Sequence, residues 1–176
     1  MSYTKTIWQD LPNTTTPINA TNLNKMEQGI YDANDKNVIT IGLNADTSFT
    51  STANYQSIDV NLTNEVGKTG TKLSLSNGKV SIGAGVTKVL ISGAMQTQGD
   101  GNMYGLSLYK NNNTIAQAFV SPPNSSYNHL SVVPIIVSVA QNDTIKMGVY
   151  INTSGSTKNL KAYNGGGTYL TVEVIE

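Results

Sequence analysis

Few side chains in this chain are able to do covalent chemistry. With one histidine, His129, and no cysteine, the common nucleophile arrangements reduce to a serine activated by His129 and a carboxylate. No G-x-S-x-G elbow accompanies them. A lone histidine without thiolates cannot build a multi-histidine or cysteine zinc site. Glycoside hydrolysis needs two carboxylates in one cleft, and Asp59, Asp100, Asp143 and Glu173 are scattered along the chain as isolated acids. Gly83-Ala84-Gly85 and Gly165-Gly166-Gly167 each lead into a strand pattern rather than a helix. They therefore read as sharp turns, not as phosphate cradles. Calcium at Asp100 would want several oxygen ligands, and only one acid stands there. The sequence assigns no catalytic residue, no metal ligand and no cofactor.

Binding chemistry is better supplied. Gln98-Gly99-Asp100-Gly101-Asn102-Met103-Tyr104 and the stretch from Ser121 to His129 read as loops that combine a carboxylate, amides, aromatic faces and an imidazole. That is the kit that hydrogen-bonds sugar hydroxyls and stacks on their apolar faces. Asp100, Asn102, Tyr104, Tyr127 and His129 are the saccharide-binding candidates.

These loops need a scaffold, and composition bounds it. The 176 residues are long enough for one ordinary domain and a short appendage. Only 12% are charged, the formal net charge is zero, and every basic residue is a lysine. Phosphate neutralisation wants a basic surface and base reading leans on arginine, so no nucleic-acid partner is expected. Without a bilayer-length apolar run, no membrane insertion is expected, and M-S-Y-T-K-T lacks the apolar segment of a signal peptide. Abundant Asn, Thr, Ser and Gly suit turns and β surfaces, which moves the class to all-β.

Residues 1–36 differ from the rest. Ile7-Trp8-Gln9-Asp10-Leu11-Pro12 and a Thr-rich linker lead into the one helical pattern, with Asn19 as N-cap and Ile18 and Leu23 at hydrophobic-staple spacing. Leu23, Met26 and Ile30 form a narrow apolar stripe, and a helix of about four turns is marginal alone. The stripe needs a partner, such as two further copies around an axis. The run W-Q-D-L-P-N-T-T-T-P-I-N-A-T-N-L-N-K-M-E-Q-G-I resembles a segment near the start of minor structural, tail and baseplate-associated proteins of bacteriophages of Gram-positive bacteria. The match lies on Trp8, Asp10, Thr16 to Ala20, Leu23, Asn24 and Glu27. The resemblance implies a virion anchor, carried by Trp8, Asp10, Leu23, Met26 and Ile30, and other phage structural proteins as partners.

Residues 37–176 read as strands and turns at sandwich spacing. Asn77-Gly78 signals a two-residue type I′ turn that places Leu75 opposite Val80 and Leu73 opposite Ile82. Val89 to Met95, Leu106 to Lys110, Ile115 to Val120 and Tyr169 to Ile175 add strands. The stretch from Leu130 to Ile151 reads as a hairpin turning at Gln141-Asn142-Asp143. Its first run is apolar on both faces and its second alternates, so the first is expected to be buried on both sides and the second half-buried. Pro134 argues for an edge strand or a bulge. A neighbouring subunit is one cover for the second face, which makes Val132, Pro134 and Ile136 the trimer-interface candidates.

About eight to ten strands in an antiparallel sandwich are expected, with a jelly roll its commonest form. The order G-K-V-S-I, K-V-L-I-S-G-A, L-Y-K-N-N-N-T-I-A, V-S-V-A-Q-N-D-T-I-K-M and Y-L-T-V-E-V resembles the C1q/TNF-like head domains of phage receptor-binding and fibre proteins. That resemblance covers about Thr71 to Glu176 and implies a homotrimer whose first and last strands are neighbours in the inner sheet. The expectation is a non-enzymatic virion protein, assembled in the bacterial host, whose head binds a host cell-wall saccharide. The alternatives are a decoration fibre or baseplate component without a receptor and, from another class, a carbohydrate-active enzyme.

Overall fold

Alternating apolar side chains become two stacked antiparallel sheets. The computed structural model describes residues 20–34, 36–99, 102–121, 127–163 and 166–176. The chain divides between Lys36 and Asn37 into two units. In the first, helix α1 (Ala20–Asn34) has no acidic residue in its first turn and no basic residue in its last, so its dipole is uncompensated by charge. Leu23 is half-buried, whereas Met26 and Ile30 are exposed. The proposed cap at Asn19, its staple partner Ile18, and Trp8 and Asp10 lie outside the described residues.

The second unit contains β1 (Val38–Gly42), β2 (Thr47–Thr50), β3 (Gln56–Val60), β4 (Asn64–Thr69), β5 (Leu73–Ser76), β6 (Lys79–Ile82), β7 (Lys88–Gly99), β8 (Tyr104–Lys110), β9 (Asn113–Val120), β10 (Tyr127–Ser138), β11 (Thr144–Ile151), β12 (Thr157–Leu160) and β13 (Tyr169–Val174). One sheet runs β2-β12-β7-β13-β1-β4, with β10 also on β7. The other runs β5-β6-β11-β8-β9, with β3 also on β11. Between them Ile39, Ile41, Ile91, Leu170 and Val172 meet Leu106, Leu108, Ile145, Met147 and Val149, all fully buried. The first and last strands are neighbours, Ile41 lying opposite Leu170. The count exceeds the expected eight to ten because short pieces such as β2, β4 and β12 carry too little apolar alternation to announce themselves.

The Asn77-Gly78 hairpin has the register that its sequence dictates, with Leu75 opposite Val80 and Leu73 opposite Ile82. Both turn residues have positive φ, as a type I′ turn requires. Asn111 and Asn112 make a second such turn between β8 and β9.

The expected hairpin from Leu130 to Ile151 is corrected by the structure. β10 pairs with β7 and β11 with β8, so the turn at Gln141-Asn142 carries the chain from one sheet to the other. The expected burial is also reversed. β11 lies centrally, between β8 on one side and β3 and β6 on the other, and Tyr109 packs over its outer face beside Lys146. β10 is an edge strand: it runs along one side of β7 while β13 and β12 share the other.

Pro134 acts as its residue type predicts. The β10–β7 register shifts between Val132 and Ile135, and this bulge changes which side chains face the core. Leu130 and Val132 point inward before it, Ile135, Val137 and Val139 after it, and Val133, Pro134 and Ile136 are exposed. Val132 is therefore a core residue and not an interface residue, because strict alternation fails across the extra residue.

Candidate functional site

The polar residues converge where β10 begins and β7 ends. Tyr127 lies opposite Gln98 and His129 opposite Gln96, so the ring and the imidazole share the outward face of the first sheet with two amides. Tyr127 is 57% exposed and His129 is exposed as well. Both stand on a strand rather than in the loop that the sequence suggested, which gives them a fixed spacing.

The segment after β12 brings in a cation. The Lys161 backbone N–H donates to the Gln96 carbonyl at 2.9 Å, and its Nζ lies 5.8 Å from the Tyr127 ring centroid. The ammonium donates to Asp46 Oδ2 at 2.9 Å, and the Ala162 N–H donates to Asp46 Oδ1 at 2.8 Å. The Lys161 ammonium, helped by that N–H, holds the Asp46 carboxyl below the usual carboxylate range. Asp46 in turn raises the Lys161 pKa. Tyr163, exposed and with φ of 40°, completes the patch. The result is two exposed aromatic faces around an ion pair, bordered by amides, an arrangement that can hydrogen-bond and stack on a polar ligand.

The other expected contacts separate. Tyr104 is corrected: it is 1% exposed, its ring lies under the Lys158 ammonium at 4.9 Å, and its hydroxyl accepts from Thr97, so it serves the core. Burial pushes the Tyr104 hydroxyl pKa up, against the Thr97 hydrogen bond. Asn102 is half-buried, and its carbonyl accepts from Lys158 Nζ at 2.9 Å. Asp100 lies outside the described residues. Asp46, Lys161 and Tyr163 were missed by sequence reasoning. Asp46 and Lys161 are 115 positions apart, and no local pattern announces their pairing.

At the other end of β10, Val133 is 79% and Ile136 65% exposed, the latter opposite Leu90 on β7. With Pro134 they make an apolar strip on an edge strand, a surface that ordinarily requires a cover. Among the described residues no group of three or more His, Cys, Asp or Glu side chains is placed to hold a metal ion. No described helix is long and apolar enough to cross a membrane.

No protein-family model matches this chain, and no curated protein does. Solved structures do match. Murine APRIL at pH 5.0 superposes with a TM-score of 0.62 at 15% identity, covering 80% of this chain and 99% of that one. Eiger TNF from S. frugiperda superposes with a TM-score of 0.61 at 11% identity, covering 81% of this chain and 94% of that one. The likeness fixes the fold as a TNF/C1q-like antiparallel jelly roll.

Proposed function

We propose that this chain is a non-enzymatic phage virion protein, a homotrimer with a recognition head formed by residues 37–176 and a virion anchor in residues 1–36. The observation that carries the trimer is the exposed strip of Val133, Pro134 and Ile136 on the edge strand β10. Buried against a second copy, such side chains gain about 25 cal/mol per Å² of apolar area removed from water, and closed symmetry repeats the gain at each contact. The jelly-roll fold supports a head that presents its loops and strand ends to a receptor. The resemblance of the segment around Trp8 to phage tail and baseplate proteins supports the virion anchor.

The head recognises a host cell-wall saccharide through Tyr127, His129 and the Lys161–Asp46 pair. His129 faces an amide, Gln96, across the strands. An imidazole beside an amide on one strand face supplies hydrogen-bond donors and acceptors for sugar hydroxyls, which supports a binding role.

Light scattering on the full chain at micromolar concentration should report three copies, and a monodisperse monomer would refute the assembly. A glycan array and a hydrolysis assay on one sample should show retention without cleavage. Cleavage abolished by His129→Ala would replace a binding head with an enzyme. Trp8→Ala should lower the amount of this protein in purified particles, and unchanged particle content would remove the anchor.

A further inference from the structure

The seam between the two sheets holds a second polar site, centred on Asp59 and Asn61 and sharing with the Tyr127 end only the segment on either side of Asp46. Where the chain passes from β3 to β4, Leu62 is fully buried while its neighbours Asn61 and Thr63 are exposed. The buried leucine acts as a plug and turns both polar side chains outward. Two clefts adjoin there with Asp59 and Asn61 as a common wall. One, of about 340 Å³, is backed by Phe49 and lined by Thr63. The other, of about 250 Å³, is bounded by the Asn77-Gly78 turn, Lys79 and Lys146. Together they reach the size range of small-molecule sites, about 300–1,000 Å³.

The walls are pre-set. Asp59 lies opposite Gly148 on β11, and its two oxygens accept from Lys146 Nζ at 2.7 and 2.5 Å. Only 10% of the Lys146 side chain is exposed, against 58% of Asp59, so the carboxylate faces the groove and the cation that orients it stands behind. On the far side the type I′ turn is pressed against Asn61. A Cβ on Gly78 would lie 2.2 Å from Asn61 Oδ1 and 2.9 Å from Asn61 Cα, so only glycine fits and the amide has a fixed neighbour.

We propose that this groove binds a neutral saccharide. Asp59 and Asn61 supply an oriented carboxylate and an amide for paired hydroxyls, Thr63 a further hydroxyl, and Phe49 an aromatic surface for a pyranose C–H face. An anionic ligand would meet the exposed Asp59 carboxylate, and a cationic one would meet Lys79 and the ammonium behind Asp59. A neutral polyol avoids both. The assignment is independent of what the Tyr127 end binds.

The test titrates methyl glycosides of neutral hexoses and N-acetylhexosamines, with sialyllactose as the acidic comparison, into the full chain by saturation-transfer NMR. A neutral glycoside should bind with Kd on the order of millimolar, and Asp59→Asn and Asn61→Ala should each weaken it by about tenfold or more. Lys88→Ala, on β7 and outside the lining of both clefts, should leave that Kd within about twofold. Thermal melting of each variant accompanies the titration, and Asn61→Ala carries the test if Asp59→Asn does not fold. Preference for sialyllactose with loss on Lys79→Ala would overturn the ligand class. Loss on Tyr127→Ala with both groove variants binding as wild type would overturn the location while leaving a saccharide-binding head intact. Absence of saturation transfer with every neutral glycoside would overturn the site, whereas the trimer is judged separately by light scattering.

Discussion

Gly148 carries no side chain because Tyr109 occupies the space. A Cβ there would lie 2.9 Å from Tyr109 Cε2 and 3.0 Å from the Ile58 carbonyl. The ring can therefore lie across β11 beneath the Lys146 ammonium, 5.3 Å from its centroid. We predict that Gly148→Ala costs about 1–3 kcal/mol by overpacking. The Tyr109 hydroxyl is buried and has no hydrogen-bond partner among the described residues. Tyr109→Phe should therefore be neutral or stabilising by about 1 kcal/mol. Urea unfolding of both variants checks the pair, and a destabilised Tyr109→Phe would mean that the hydroxyl has a partner. Asp143 is also more than an isolated turn acid. Burial pushes its carboxyl up, but hydrogen bonds from the Asn111 amide, the Ala140 N–H and Lys110 outweigh that and leave its pKa below the ordinary 3.8. A depressed carboxylate stabilises the fold above its unfolded value, and that stability is lost as pH falls through the folded value. Asp143→Asn should accordingly melt lower than wild type at pH 7 and lose less on acidification below pH 3.8. Equal losses would show that the contacts carry no linkage. These residue-scale facts were hidden in the sequence. Nothing near Asp46 names Lys161 as its partner, and nothing near Asp59 names Lys146, because each pair forms only when distant strands are laid side by side.

Among the elements, β10 separates what alternation can reveal from what it cannot. The β5–β6 hairpin was legible because a two-residue turn fixes its own register, and β13 because Leu170 and Val172 alternate with Thr171 and Glu173 on one half-buried strand. The junction of β10 and β11 was not. Two apolar runs with a turn between them fit a hairpin and a sheet-to-sheet crossing equally well, and the choice depends on β7 and β8, which are far away in sequence. The bulge at Pro134 was visible as a proline, but its effect on phase was not. That phase gives a prediction. Val132 is 7% exposed inside the protomer and Ile136 is 65% exposed on its surface. Val132→Lys should unfold the head, since an unpaired buried charge costs about 3–5 kcal/mol. Ile136→Lys should keep native circular dichroism yet dissociate the proposed trimer in light scattering. If Ile136→Lys remains trimeric, the apolar strip is not the subunit contact.

For the molecule as a whole, the boundary at Asn37 bears on how folding is divided from the proposed attachment. Asn37 is 3% exposed although polar. Its Oδ1 accepts the Lys72 N–H at 2.8 Å, and its carbonyl accepts the Val174 N–H at 2.9 Å. One residue thus ties the start of the head to the entry into β5 and to the end of β13. Helix α1, by contrast, is short, without charge support at either end, and shows Met26 and Ile30 to solvent. A helix of that length adds little stability by itself. We predict that a chain beginning at Asn37 melts cooperatively within a few degrees of the full chain and keeps its oligomeric state. Asn37→Ala in the full chain should cost about 1–3 kcal/mol, because the Lys72 N–H loses a half-buried acceptor. A chain beginning at Val38 should be weakened at least as much, since both acceptors are then missing. Differential scanning calorimetry of the three proteins tests this ordering. If the chain from Asn37 fails to fold while Asn37→Ala melts as wild type, the stabilising contacts come from residues 1–36, and the helix belongs to the head rather than to a separable anchor.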